Sequence, residues 1–523
     1  MKPGETQEGR ITGAASVVGL ATVASRLLGY IRDMVTAYFF GAGFFSDAFF
    51  VAFRISNLLR RLVGEGALTS SFIPIFTEEY NRRSKESSRA MVSSMFTLFA
   101  VILIIVSIIG IFLSGPLVSL LSPGFRSDPE KFTLTVSLTR IMFPYMVFVG
   151  LMAIAMGVLN SMRHFAAPAL SPVFFNLSII FCILVVAPML VEPVYALAIG
   201  VLVGGALQFL VQLPYLKKYG FTPMPLFRFA DPAIKKIFTL MGPAAFGVGI
   251  YQLNIFVTLW FASRLSEGSV SYLYYAGRLM ELPLGVFGVA ISTAVLPSLS
   301  EHVVKKNWDD FRSSLSFAMR LVVFVTVPAA VGLFVLSLPV IEVLFGHGEF
   351  GSNESSATAL ALYYYCVGLV PVAVYRVLVS VFYSLKDTVT PVIVAFVAFV
   401  FNILMCLLLV GPLGHGGLAL ATSLAAIFNM AVLVIVLKMK FGAFGGRAIA
   451  SVAAKSSAAS IVMGLVVYAI IVMSDYNALA AGGKGIVLGG SLAVGVIVYL
   501  VLSRVLRVSE LRFIRELVSK RRG

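Results

Sequence analysis

Six arginines stand in stretches that are otherwise apolar: Arg26, Arg32, Arg54, Arg60, Arg61 and Arg278. Four carboxylates stand beside them: Asp33, Asp47, Glu65 and Glu281. Their spacing is helical. Arg26 and Asp33 are seven apart, two turns, and share a face, with Ser25 and Arg32 flanking them. Asp47, Arg54 and Arg61 fall at successive sevens, Asn57 follows Arg54 by three, and Glu65 follows Arg61 by four. From Asp47 to Glu65 this is a polar stripe about 27 Å long at the helical rise, and Arg60, about 100° off the line, widens it. Tyr274, Arg278 and Glu281 share a third face, which Gly285, Gly288 and Ser292 continue without bulk.

A charge at the centre of a bilayer costs a few kcal/mol, so it faces a partner or a wet cavity. One reading makes these residues ion pairs that lock helices together. The other makes them a ligand site, because five of the six arginines lie on two successive stretches with only three carboxylates beside them. Arginine presents a planar fork that takes phosphate or carboxylate oxygens two at a time, so the ligand implied is a phosphate or pyrophosphate compound. Arg140, Arg320 and Lys455 lie near the ends of apolar stretches, within snorkelling reach of water, whereas Arg376 lies deeper.

Other chemistries lack their residues. The histidines His164, His302, His347 and His415 are scattered, and Cys182, Cys366 and Cys406 read as small buried hydrophobes in apolar runs. There is no phosphate-binding Walker loop, no His-x-Glu metal signature and no paired aspartates of the kind that hold magnesium on a diphosphate. No cofactor or metal is expected, and ATP is not a direct energy source within this chain. A membrane-embedded transferase or hydrolase acting on a polyprenyl diphosphate would need the carboxylate cluster that is missing.

The elements that must position these arginines are membrane helices. Of 523 residues, 59% are hydrophobic and 12% charged, with mean hydropathy +0.97, against roughly 25% charged in soluble domains. Fourteen spans are expected, near 13–40, 46–75, 91–121, 132–160, 166–190, 193–216, 234–262, 270–299, 312–338, 356–384, 388–411, 415–437, 448–473 and 485–506. They must be helices, since backbone groups in lipid pair within their own segment. The first run has no small-residue cleavage signature and reads as a retained helix.

The net charge of +16 does not point to nucleic acid, because the excess sits in short loops. Arg82, Arg83, Lys85, Lys217, Lys218, Lys305, Lys306, Lys438 and Lys440 fall on the side of both termini. Arg126, Lys131, Arg264 and Lys484 fall on the other. The positive-inside rule then puts both termini in the cytoplasm. Residues 507–523 read as a basic amphipathic tail suited to an anionic leaflet.

The chain also repeats itself. Pro74 to Glu78 matches Pro297 to Glu301 at an offset of 223; Ser161-Met162-Arg163 with Pro168 matches Ser384-Leu385-Lys386 with Pro391; Gly19 and Gly242 keep the register. The fold class is therefore an all-α polytopic membrane protein: a six-helix lobe over 1–230, a parallel six-helix lobe over 231–445, and two additional helices over 446–506, a common transporter plan.

Ser25 to Asp33, Phe40-Gly41-Ala42-Gly43, Ser46 to Phe50, Asn57 to Arg61, and Glu65-Gly66-Ala67 resemble the MurJ (MviN) family of lipid II flippases in the MOP exporter superfamily. Tyr274 to Pro283 resembles that family's motif in the eighth span. The resemblance runs through all fourteen expected spans and is specific in the first, second and eighth. It implies a MOP-type fold, alternating access, a central cavity with essential arginines at Arg26, Arg32, Arg60 and Arg278, and Asp33, Asp47, Glu65 and Glu281 close by. It implies undecaprenyl-pyrophosphate carrying a disaccharide-pentapeptide as cargo, a bacterial inner-membrane location, functional contact with peptidoglycan synthases, and transport rather than catalysis.

Two departures stand out. Gly277 occupies a position that is often aspartate in relatives. Residues 243–263, 391–410 and 416–437 contain no Asp or Glu, which removes the carboxylates some relatives are thought to offer sodium. Within the same superfamily the alternatives are an exporter of another lipid-linked oligosaccharide or of a cationic drug, the last at odds with a positive cavity.

Overall fold

The computed structural model describes residues 7–59, 68–82, 84–228 and 231–511. Their regular structure is entirely helical, with no strand among them. Among the described residues ten helices are long and apolar enough to cross a membrane by length and composition, so the chain is a multi-pass membrane protein. It folds as two units, the first Met1–Gly268 and the second Ser269–Gly523.

The first unit contains α1 (Gln7–Phe40), α2 (Phe44–Leu59), α3 (Leu68–Arg82), α4 (Lys85–Phe112), α5 (Ser114–Leu121), α6 (Pro129–Met142), α7 (Tyr145–Ser161), α8 (Ala166–Phe181), α9 (Tyr195–Leu210), α10 (Leu213–Tyr219) and α11 (Pro232–Ala262). α6 and α7 form one span broken beside Pro144, where the missing N–H and the ring disfavour a continuous helix. α8 runs on through a π-helical turn, Cys182–Val186, just before Pro188. Phe72, Phe76, Met95, Ala153, Val158 and Phe221 form the core on which α3, α4, α7 and α11 meet.

Two glycines bring α9 hard against α8. A Cβ at Gly204 would lie 2.9 Å from the Phe175 ring, and one at Gly200 would lie 2.9 Å from the Ile179 backbone. α8 is thereby set along α1, the packing on which the site depends.

The second unit contains α12 (Ser269–Pro283), a π-helical turn (Leu284–Gly288), α13 (Val289–Val304), α14 (Trp308–Val335), α15 (Ser337–Leu344), α16 (Ser352–Ser384), α17 (Val389–Phe441), α18 (Gly446–Met473) and α19 (Ala481–Val505). The two expected spans 388–411 and 415–437 are one element, α17, broken at Gly414 by a left-handed φ of 55° without an intervening loop.

The internal repeat reaches the helix boundaries. α4, α5 and the α6–α7 pair start and end 223 residues before α14, α15 and α16. The turn after α7 places Arg163 at φ 57°, and the turn after α16 places Lys386 at φ 59°. In both, the following residue donates its N–H five residues back, His164 to the Leu159 carbonyl and Asp387 to that of Phe382. This is the same left-handed cap closed by a long-chain basic residue instead of glycine. Packing departs from the repeat at one helix: the expected boundary at 230 gives α11 to the second lobe, yet α11 rests on α3, α4 and α5 of the first unit.

The last two helices are tied to the second unit at both ends. Lys484 pairs with Glu342 at 2.7 Å, and Arg320 pairs with the buried Glu510 at 3.0 Å. Arg320, expected to snorkel, is held by that carboxylate.

Candidate functional site

In the first unit the site is built on α1 and α8. Asp33 is 2% exposed, and a buried carboxylate needs compensation. Arg32 supplies it: Nη2 lies 2.6 Å and Nε 3.0 Å from Asp33 Oδ1. The third edge of the guanidinium turns to α8, where Nη1 donates to Asn176 Oδ1 at 3.1 Å. The Asn176 amide in turn donates to the Ser25 carbonyl at 3.0 Å. Asn176 is buried and bridges two points of α1 that lie two turns apart.

Sequence reasoning missed Asn176. The signal was present, since it is the sole carboxamide in the apolar stretch 166–190 and a buried amide is costly without partners.

Arg26 shares its face with Gly29 and Asp33, as the spacing required. That face is buried from Gly29 to Phe40 but open at Thr22 and Arg26. Arg26 therefore extends into uncovered space one helical stretch from the Arg32–Asp33 pair. The carboxylate is taken by Arg32 and the two guanidiniums remain, so this end of α1 carries surplus positive charge.

Asp47 stands elsewhere, at the start of α2. It is 2% exposed and is held by Lys131 Nζ at 2.9 Å and by the Gly268 N–H at 2.8 Å. Lys131 was expected in a loop facing water. It sits instead in the first turn of α6, 5% exposed, with its ammonium 4.7 Å from the Phe125 ring centre. Glu267 accepts the Phe44 N–H at 2.8 Å beside it. A charge at the edge of an apolar run looks like loop in one dimension; only the fold brings Asp47 onto it. Arg54 is half-buried and Asn57 buried on α2. Arg60, Arg61 and Glu65 lie outside the described residues.

In the second unit Arg278 Nη1 lies 3.2 Å from Glu281 Oε2, one turn on along α12, and Tyr274 is half-buried one turn before. Glu281 is 53% exposed, so the pair is screened and loosely held. A Cβ at Gly277 would meet nothing within 4 Å, so the position has room for the carboxylate it lacks. Arg376 points at the π-helical turn, with Nη1 3.5 Å from the Leu284 carbonyl.

Two helical units whose helix boundaries repeat at an offset of 223 give this multi-pass membrane protein a MOP-like fold. The same fold appears in an inward-facing multidrug-resistance MATE transporter, with TM-score 0.66 at 15% identity over 81% of this chain and 96% of that one.

The family is narrower. A family model described as "Lipid II flippase MurJ" matches residues 36–481, and the chain belongs to that family. It is 36% identical to a probable lipid II flippase MurJ of Vibrio cholerae over 500 residues, 94% of this chain and 95% of that one. It is 40% identical to a lipid II flippase MurJ of Burkholderia cenocepacia over 423 residues, 80% and 82% of the two chains. The solved structure of lipid II flippase MurJ in an inward closed conformation superposes with TM-score 0.78 at 29% identity, covering 96% of this chain and 99% of that one.

Proposed function

We propose that this chain carries lipid II, the undecaprenyl-pyrophosphate-linked disaccharide-pentapeptide, from the inner to the outer leaflet of a bacterial inner membrane by alternating access. Arg26, Arg32 and Arg278 take the pyrophosphate oxygens, with Arg60 and Arg61 nearer the inward entrance. Asp33 and Glu281 hold their arginines until cargo arrives, and a carboxylate that must be displaced makes release possible. Arg54, Asn57, Glu65 and Tyr274 line the path.

The single observation that carries this reading is the Arg32–Asp33–Asn176 arrangement beside the exposed Arg26. It orients one guanidinium and leaves net positive charge on an open helix face. The remaining topology belongs to the same reading: fourteen spans, counting α17 as two about Gly414, with both termini cytoplasmic. Asp47 serves as a clamp at the head of α2 rather than as a cargo ligand, because Lys131 and the Gly268 N–H engage it. The test is purified protein in liposomes with labelled lipid II. Appearance of label on the far leaflet that Arg26→Ala abolishes supports the reading, and equal translocation by both proteins refutes it.

A further inference from the structure

Arg376 lies deep in the second unit, on the spanning helix α16, about 12 Å of helical rise from the end of that helix at Ser384. It is half-buried, and among the described residues no carboxylate stands within ion-pair distance of it. The carboxylates of the same unit are engaged elsewhere: Glu281 with Arg278, Glu342 with Lys484, Asp387 with Lys440 and Glu510 with Arg320. A cation at that depth is costly unless it meets a partner or a wet cavity.

The side chain has a definite direction. Its Cδ lies 3.8 Å from where a Cβ at Gly288 would stand, and its Nη1 lies 3.5 Å from the Leu284 carbonyl, a long and weak hydrogen bond. The stem therefore sits at Gly288 and the head reaches back along the π-helical turn Leu284–Gly288 toward Glu281 and Arg278. Gly285 and Gly288 continue the face of Arg278 and Glu281 without side chains of their own, which leaves the room that Arg376 fills. Arg278 Nη1 stands at Glu281, 3.2 Å from Oε2. Glu281 and Leu284 are neighbours on one helix face, separated by about 4.5 Å of rise. Two guanidiniums thus approach the end of α12 about one turn apart. One is loosely held by an exposed carboxylate, and the other has none.

We propose, resting on the diphosphate-lipid reading above, that Arg376 is a specificity-determining residue: it takes one phosphate of the cargo's diphosphate while Arg278 takes the other. The second unit then prefers a diphosphate lipid to a monophosphate one. Each guanidinium offers a planar fork to one phosphate. Such a preference is needed because the phospholipids of the surrounding bilayer carry single phosphates in great excess, and a single arginine grips either kind of headgroup alike. With two arginines in place, a monophosphate leaves one cation in the site uncompensated, and that penalty is the discrimination. A mere prop for the π-helical turn would need only a donor to one carbonyl and would affect both kinds of lipid equally.

The experiment titrates the full chain in detergent with undecaprenyl diphosphate in one arm and undecaprenyl phosphate in the other, by calorimetry. The wild type is expected to prefer the diphosphate. Arg376→Gln should bind the diphosphate about tenfold more weakly, the effect of one hydrogen bond between charged groups, and the monophosphate with far less change, so that the preference collapses. Arg278→Gln should weaken both lipids. Arg376→Lys keeps the charge without the fork and should restore part of the preference; it carries the test if the unfolding midpoint shows Arg376→Gln to be misfolded. Equal loss of affinity for both lipids in the Arg376 variants, or a preference unchanged from wild type in Arg376→Gln, overturns the proposal. A wild type that binds both lipids equally overturns it and leaves the transport reading standing, whereas one that binds neither refutes that reading as well.

Discussion

Asn176 on α8 receives a hydrogen bond from Arg32 on α1 at 3.1 Å while its own amide reaches the Ser25 carbonyl two turns earlier at 3.0 Å. The guanidinium is thus fixed by a neighbouring helix as well as by the carboxylate next to it in sequence. Asn176→Ala is expected to free Arg32 and lower translocation roughly tenfold, the effect of one hydrogen bond to a charged group, with protein levels near wild type. Asn176→Asp adds a second carboxylate at the guanidinium and should be worse. Liposome translocation rates of the two variants check the order; equal rates in wild type and Asn176→Ala would show that Arg32 needs no second anchor.

Replacing Arg26, Arg32 or Arg278 by alanine is expected to abolish complementation of a flippase-depleted cell without loss of membrane-inserted protein. Lysine at each position should fail too, since an ammonium is a point charge and cannot grip two oxygens in the plane of a fork. Quantitative blotting beside the growth assay separates loss of function from loss of fold. Growth restored by Lys at all three positions argues that charge alone, not bidentate geometry, is used.

Asp47 and Lys131 form a buried pair at 2.9 Å, with side chains 2% and 7% exposed. Breaking one partner leaves an uncompensated charge, which costs about 3–5 kcal/mol. Asp47→Asn and Lys131→Met should each lower the thermal unfolding midpoint in detergent markedly. The double variant should recover part of the loss, because no lone charge remains. Additive losses would show the two residues to be independent.

Asp387, which accepts the Thr390 N–H and hydroxyl at the start of α17 and pairs with Lys440, predicts a pH dependence. Desolvation pushes Asp387 upward, but the Lys440 ammonium and the Thr390 N–H and hydroxyl outweigh it and bring its pKa down to about 2. A carboxylate depressed in the folded state contributes stability above its unfolded pKa, near 4. That contribution is lost as pH falls toward 2. The pair is partly exposed, so the effect is small. Unfolding midpoints of wild type and Lys440→Met should differ at pH 6 and converge near pH 2; a constant gap contradicts the assignment.

The surplus positive charge on α1 predicts that transport depends on the membrane potential. Residues 243–263, 391–410 and 416–437 contain no Asp or Glu. A charge crossing the membrane field is worth ~2.3 kcal/mol per 100 mV, and a potential negative inside favours return of an empty, positive carrier. Translocation should fall when the potential is collapsed and change little when sodium is replaced by choline. The opposite pattern would point to uncharged ligands such as Asn254 and Asn402.

Much of this protein is written in one dimension. Runs of apolar residues near bilayer length set the helices, because lipid forces the backbone to satisfy itself within each run. The offset of 223 announced a repeat that recurs in helix boundaries and left-handed caps. The seven-residue spacing of Arg26 and Asp33 fixed their common face. Sequence could not say which partner each charge would find, since that depends on meetings between residues far apart in the chain. Asn176 reaches Arg32 across 144 residues, and Lys131 reaches Asp47 across 84. α11 left the lobe to which its register assigns it because its apolar face packs on α3 and α4, and burial follows the available surface rather than chain order. Pairing of buried charges is likewise a three-dimensional matter, decided when helix packing removes water from both partners at once.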